Sequence, residues 1–339
     1  MSQRTNDARE PGEPLARPYP GEARAYPGEV RGPGREVLPP PRLGPPAPLT
    51  IAEIESVLRP ALAEDRGGGD LTSITAVPEG ARAKARLFSK SPGVIAGLQV
   101  FARTFELCDP SAKVQVLVED GTHVTRGQDL VHVEGSARAL LTAERTALNF
   151  AQQMSGIATL TARYVDIARA AGMNPVRILD TRKTTPNLRK LEKYAVRCGG
   201  GENHRFGLFD EVMVKENHIE LAGRSIVAVL EDLRRAVGPA VRITSEARDE
   251  KEATAGVDGG ADVILLDNMT PVEMGRLCPI LRARAVARGH RVELEASGGI
   301  DERTLDAVVR CGIDRISVGA LTHSAPALDL SLDLTPLPR

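Results

Sequence analysis

The chain has 339 residues, of which 42% are hydrophobic and 26% charged, with a formal net charge of −1. That length admits two domains, and the balanced charge provides no global field to draw in nucleic acid. No apolar run approaches the roughly 18 residues of a membrane span, and Met1 to Glu10 carries no apolar signal core, so a cytoplasmic protein is expected with no membrane partner. Cys108, Cys198, Cys278 and Cys311 are too scattered for a zinc knuckle and are expected to be free thiols.

Residues 1–49 are dense in Pro, Gly and Arg and are expected to form a disordered tail. A helix then follows over 51–62, capped by Thr50. Ala83–Phe88, Val94–Leu98, Val114–Val118 and Leu130–Val133 read as short strands between Gly and Asp turns, giving a first domain over 50–150. A long helical run begins near Ala139 and restarts through Gly156 to Ala171.

Beyond it, apolar runs at about 176–180, 212–215, 241–246, 263–267, 292–297 and 315–319 alternate with helical stretches such as Ser225–Val237, Pro271–Arg288 and Glu302–Cys311. Repeated βα units predict a parallel sheet over 151–323, followed by a C-terminal segment over 324–339. Strand after strand ends in polar residues: Asp180 to Lys183, Lys215 to His218, Asp267, Ser297 to Gly299, and Gly319 to His323. An α/β barrel of about six to eight strands gathers all such ends on one face, whereas a doubly wound sheet uses only its switch point.

Those ends carry the candidate chemistry. Arg182 can grip a carboxylate bidentately and Lys183 supplies a point charge. His204, Arg205 and Lys215 recur in the same polar layer, next to the Gly199–Gly201 run that permits close backbone approach to an anion. Ser297 and Gly298, with Gly319 and His323, resemble phosphate-binding strand ends. Asp267 closes an apolar run where a carboxylate can hold Mg²⁺ together with substrate oxygens. Arg145 sits on the long helix and reaches such a site only from another subunit.

In their order, Glu64-Asp65, Gly69–Ser73, Gly93–Gly97, Ala143–Asn149, Ser155–Ala158 and the strand-end motifs resemble the quinolinate phosphoribosyltransferases from about Leu49 to Leu334. The resemblance implies an N-terminal α/β sandwich domain that caps the barrel of a neighbouring subunit. It also implies a decarboxylating transfer of phosphoribose to quinolinate in NAD biosynthesis, and a homodimer or higher oligomer with shared active sites. On it, Arg182, His204, Arg205 and Lys215 receive the quinolinate carboxylates, with Arg145 contributed across the dimer interface. Lys183 and Asp267 handle phosphoribosyl pyrophosphate and its Mg²⁺, while Ser297, Gly298, Gly319 and His323 cradle phosphate.

One strand departs from the family pattern: Thr244 stands where a site acid is expected, and Glu246 shares its face two residues on. That leaves open a retuned or non-catalytic relative. Two other readings are weaker. Asp120–Gly135 resembles half of a biotinyl or lipoyl domain but contains no Lys to modify, and Lys215 as a Schiff-base lysine would make the chain a barrel lyase.

Overall fold

The structure, a computed structural model, describes residues 46–171 and 175–338. Residues 1–45, most of the expected tail, lie outside the described residues. The chain divides into two compact units. One holds the described residues up to His204 with Ile300–Val309 and the chain from Arg315 on; the other holds Arg205–Gly299 and Arg310–Asp314.

The elements run α1 (Ile51–Arg66), α2 (Leu71–Ala76), β1 (Arg82–Ser89), β2 (Gly93–Val94), α3 (Leu98–Cys108), β3 (Lys113–Val116), β4 (His123–Val124), β5 (Asp129–Ser136) and α4 (Ala137–Ala170). Next come β6 (Arg177–Leu179), α5 (Arg189–Cys198), β7 (Val212–Val214), α6 (Glu216–Ala222), α7 (Ile226–Val237), β8 (Ile243–Ala247), α8 (Glu250–Asp258), β9 (Val263–Asp267), α9 (Pro271–Ala287) and β10 (Glu293–Ser297). The last are α10 (Leu305–Val309), β11 (Arg315–Ser317), α11 (Ala320–His323) and β12 (Leu330–Pro336).

In the first unit, β12, β1, β5 and β3 form an antiparallel sheet in that order. Along β1, Arg82, Lys84 and Arg86 face water while Ala83, Ala85 and Leu87 are buried, the alternation of a sheet with one covered face. That face packs with Phe101 and Phe105 of α3 and with Leu140, Ala143 and Ala147 of α4. The C-terminal segment supplies β12, which pairs with β1 in the register Leu332 to Leu87. Thr50 caps α1 as its sequence predicts: its hydroxyl accepts from Glu53 N–H at 3.3 Å and the Glu53 carboxylate accepts from Thr50 N–H at 2.9 Å.

Three local expectations are corrected. Val94–Leu98 is not a strand: β2 stops at Val94, Gly97 turns with φ +90°, and α3 begins at Leu98. Asp120 starts that helix, its carboxylate accepting from Gly97 N–H at 2.9 Å and Leu98 N–H at 3.0 Å. Gly156 does not break the long helix either; α4 runs through it for 34 residues. A Cβ at Gly156 would lie 2.2 Å from the carbonyl oxygen of Pro326, so the glycine permits close packing of the chain leading into β12. The helix expected over 302–311 is shorter, because Asp301 turns the chain first and α10 starts only at Leu305.

Six strands pair in parallel, four in the second unit and two in the first, the number read from the sequence. Within the second unit β7, β8, β9 and β10 lie side by side, in a register that sets Ser297 opposite Asp267. β6 and β11 pair in the first unit, Ile178 opposite Ile316. Val263 to Leu266 are all buried, as a strand covered on both faces requires. All four cysteines are free thiols, as expected, and burial pushes the Cys278 thiol up to about 12. Among the described residues no helix is long and apolar enough to cross a membrane.

Candidate active site

β6 delivers the chain into Asp180 and then into the loop that carries Arg182 and Lys183. Asp180 is fully buried. Its Oδ1 accepts from Lys193 Nζ at 2.5 Å and from His204 N–H at 2.9 Å, and its Oδ2 accepts from Asn203 Nδ2 at 2.6 Å. Burial drives this carboxyl upward, and the Lys193 ammonium beside it acts in the opposite sense. Arg182 is half-buried, and its Nε is buried with no hydrogen-bond acceptor among the described residues. Lys183 is exposed, and its carbonyl accepts from Thr322 Oγ1 at 2.8 Å.

The same unit brings Lys183, Gly319 and His323 together. A Cβ on Gly319 would lie 3.0 Å from Lys183 Cδ and 3.1 Å from His323 Nε2, so a side chain at this position would crowd both. Arg145 is exposed on α4.

In the second unit, β7 ends immediately before Lys215, whose ammonium forms an ion pair with Glu246 from the end of β8. Lys215 N–H also donates to His218 Nδ1 at 2.9 Å, starting α6. Arg205 Nη1 donates to the Glu211 carbonyl at 3.2 Å. Thr244 is fully buried and donates its hydroxyl to Glu211 Oε1 at 2.8 Å. The gap expected at Thr244 is therefore not an open acceptor position. A carboxylate, Glu211, already contacts it from another segment, and the acid beside Lys215 is Glu246.

The ends of β9 and β10 form a third group. Asp267 is half-buried, and its Oδ2 accepts from Asn268 Nδ2 at 2.8 Å. Asn268 adopts φ +56° and donates its N–H to the Ser297 carbonyl at 2.9 Å. Gly298 follows with φ +93°, and a Cβ there would fall 2.2 Å from Asn268 Oδ1. Only glycine fits that turn, which leaves backbone at the strand end next to Asp267.

Sequence reasoning missed Glu192, Lys193, Asn203, Glu211 and Asn268, all of which hold site residues or their loops. Glu192 is 1% exposed; it accepts from Thr185 N–H at 3.2 Å and from Gln153 Nε2 at 3.3 Å, and burial raises its carboxyl.

The family model described as the quinolinate phosphoribosyl transferase C-terminal domain matches residues 157–333, and its N-terminal counterpart matches 70–155. A Bacillus subtilis (strain 168) relative named "Probable nicotinate-nucleotide pyrophosphorylase (carboxylating)" is 40% identical over 283 residues, covering 84% of this chain and 94% of the relative. The chloroplastic nicotinate-nucleotide pyrophosphorylase (carboxylating) of Arabidopsis thaliana is 40% identical over 293 residues, 83% of each chain. Among solved structures, NadC from Streptococcus pyogenes superposes with a TM-score of 0.79 at 39% identity, covering 86% of this chain and all of that one.

Proposed function

Because the chain belongs to the quinolinate phosphoribosyltransferase family, we propose that it transfers phosphoribose from phosphoribosyl pyrophosphate to quinolinate with decarboxylation. The products are nicotinate mononucleotide, pyrophosphate and CO₂, on the route to NAD. A dianionic pyridine and a polyanionic sugar call for fixed positive charge and orientation rather than a side-chain nucleophile. The observation that carries the assignment is Arg182 Nε, a buried donor lacking an acceptor among the described residues. Leaving it so is unfavourable, and a substrate carboxylate would satisfy it.

Arg182, His204, Arg205 and Lys215 are assigned to the quinolinate carboxylates. Lys183 is assigned to the pyrophosphate, and Ser297, Gly298, Gly319 and His323 to phosphate. The close approach of Lys183 and His323 about Gly319 supports this grouping, as does the glycine turn after Ser297. As the pyridine nitrogen bonds to the anomeric carbon, the carbon–oxygen bond to pyrophosphate breaks, and Lys183 offsets the charge on the departing oxygen. The quaternised nitrogen then stabilises the electron pair left on C2 when the carboxylate leaves as CO₂, and a proton takes its place. Glu246 orients the Lys215 ammonium through their ion pair.

The donors at Asp267 are oxygens, and one of them is already steadied by Asn268. That suits a hard cation held by one carboxylate, directly or through water, together with substrate phosphates. Mg²⁺ there would neutralise charge on the pyrophosphate. A retuned, non-catalytic relative is not favoured, since Glu246 stands beside Lys215.

Purified protein given quinolinate, phosphoribosyl pyrophosphate and Mg²⁺ is expected to release CO₂ and nicotinate mononucleotide in equal amounts. Product from nicotinate in place of quinolinate would reassign the reaction. Arg145 is assigned to the site of a partner subunit in a homodimer. Mixing inactive Arg145→Ala and Lys215→Ala chains should then restore activity in hybrid dimers, and verified hybrids without activity would remove Arg145 from the site. A cytoplasmic location is part of this proposal; recovery of the native protein in an organelle fraction would count against it.

A further inference from the structure

We propose that Lys193 is a positioning residue for quinolinate, acting through Asp180 and His204 without touching substrate. The inference rests on the assignment of Arg182 and His204 to the quinolinate carboxylates. Lys193 lies on α5 and is 3% exposed. An ammonium at that depth is unfavourable unless it is both paired and hydrogen-bonded. Here Nζ donates to Asp180 Oδ1 at 2.5 Å and to the His204 carbonyl at 2.9 Å, while Asp180 accepts from His204 N–H at 2.9 Å. The backbone of His204 is thus gripped on both sides by opposite charges. Asn203 adds a further tie, its Nδ2 lying 2.6 Å from Asp180 Oδ2 and 2.9 Å from the Lys193 carbonyl.

The neighbouring Glu192 does the same for the loop before α5, by accepting from Thr185 N–H. Two consecutive buried charges on one helix therefore fix the loop carrying Arg182 and Lys183 and the loop ending at His204. Stability alone does not explain them, because a buried ion pair is commonly no more stabilising than apolar side chains of equal volume. What the ionic arrangement adds is direction. Each charge meets specific backbone groups at a fixed distance, whereas apolar packing would let the loops slide.

Lys193→Met keeps the length of the side chain and removes the ammonium, while Asn203→Ala keeps the ion pair and removes one tie. Lys193→Met is expected to raise the quinolinate KM roughly tenfold or more, with less than about a threefold change for phosphoribosyl pyrophosphate, and to speed hydrogen exchange at the His204 amide. Asn203→Ala is expected to shift the same quantities in the same direction by less. A folded Lys193→Met protein with a lower melting temperature, but with parental quinolinate KM and His204 exchange, would show a merely structural lysine and overturn the proposal. If Lys193→Met does not fold, an unchanged quinolinate KM in Asn203→Ala overturns it. Arg182→Ala measured alongside separates the two claims. Unchanged quinolinate binding there removes the underlying site assignment, whereas weakened binding there with parental values in both other variants removes only the positioning role.

Discussion

Lys215→Ala is expected to raise the quinolinate KM by about ten- to a hundredfold, the equivalent of the roughly 1.5–3 kcal/mol carried by a hydrogen bond to a charged group. Its effect on melting temperature should be small. The Lys215 side chain is 46% exposed, and exposed ion pairs contribute about 0–1 kcal/mol. The same residue is thus a minor contributor to folding and a major one to binding, a split that distinguishes a ligand contact from a structural salt bridge. An ammonium has three donors, so pairing with Glu246 leaves others for a carboxylate. Parental quinolinate affinity in Lys215→Ala would remove the residue from the site. Trapping of substrate on Lys215 by borohydride would instead make it a Schiff-base lysine.

The parallel strands and the residues at their ends were legible because each buried strand is a short apolar run that stops abruptly at a polar residue. Val263 to Asp267 shows this: four buried apolar side chains, then a half-buried carboxylate. Arg182, Lys183, Lys215 and Ser297 were found by the same signal. Lys193 and Glu192 gave none. Charged residues in an amphipathic helix ordinarily read as its solvated face. Their partners show otherwise: Asp180, 13 residues before Lys193, with the His204 carbonyl, and for Glu192 the Thr185 N–H and Gln153.

The start of α3 was missed for a related reason. Val94–Leu98 is apolar enough for a strand or a buried turn, and the choice is made by Asp120, 22 residues beyond Leu98. Gly156 likewise reads as a helix breaker until the Pro326 carbonyl is seen against it. What sequence conceals here is not propensity but the distant partner that overrides it.

Thr244→Glu tests another such partner. A strand pattern with an acid missing suggests that restoring the acid would aid catalysis, but the contact with Glu211 predicts a loss of stability instead. Thr244 is fully buried with its hydroxyl 2.8 Å from Glu211 Oε1, so a new carboxylate would be desolvated and set against a like charge. Both effects raise its pKa in the folded state above the roughly 4.3 of an unfolded Glu. Stability lost in this way is absent below the unfolded pKa and grows as pH rises towards the folded pKa. At about 1.4 kcal/mol per pKa unit, a displacement of two to three units amounts to about 3–4 kcal/mol at neutral pH. The added bulk contributes a further, pH-independent loss. Thermal melts should therefore place the variant closest to the parent near pH 4 and furthest from it above pH 7. Thr244→Val, which removes the hydroxyl at similar volume, should show no such pH-dependent widening, because it introduces no titrating group. A Thr244→Glu enzyme of undiminished stability and higher catalytic efficiency would instead make Thr244 an open acceptor position facing substrate, and the Glu211 contact incidental.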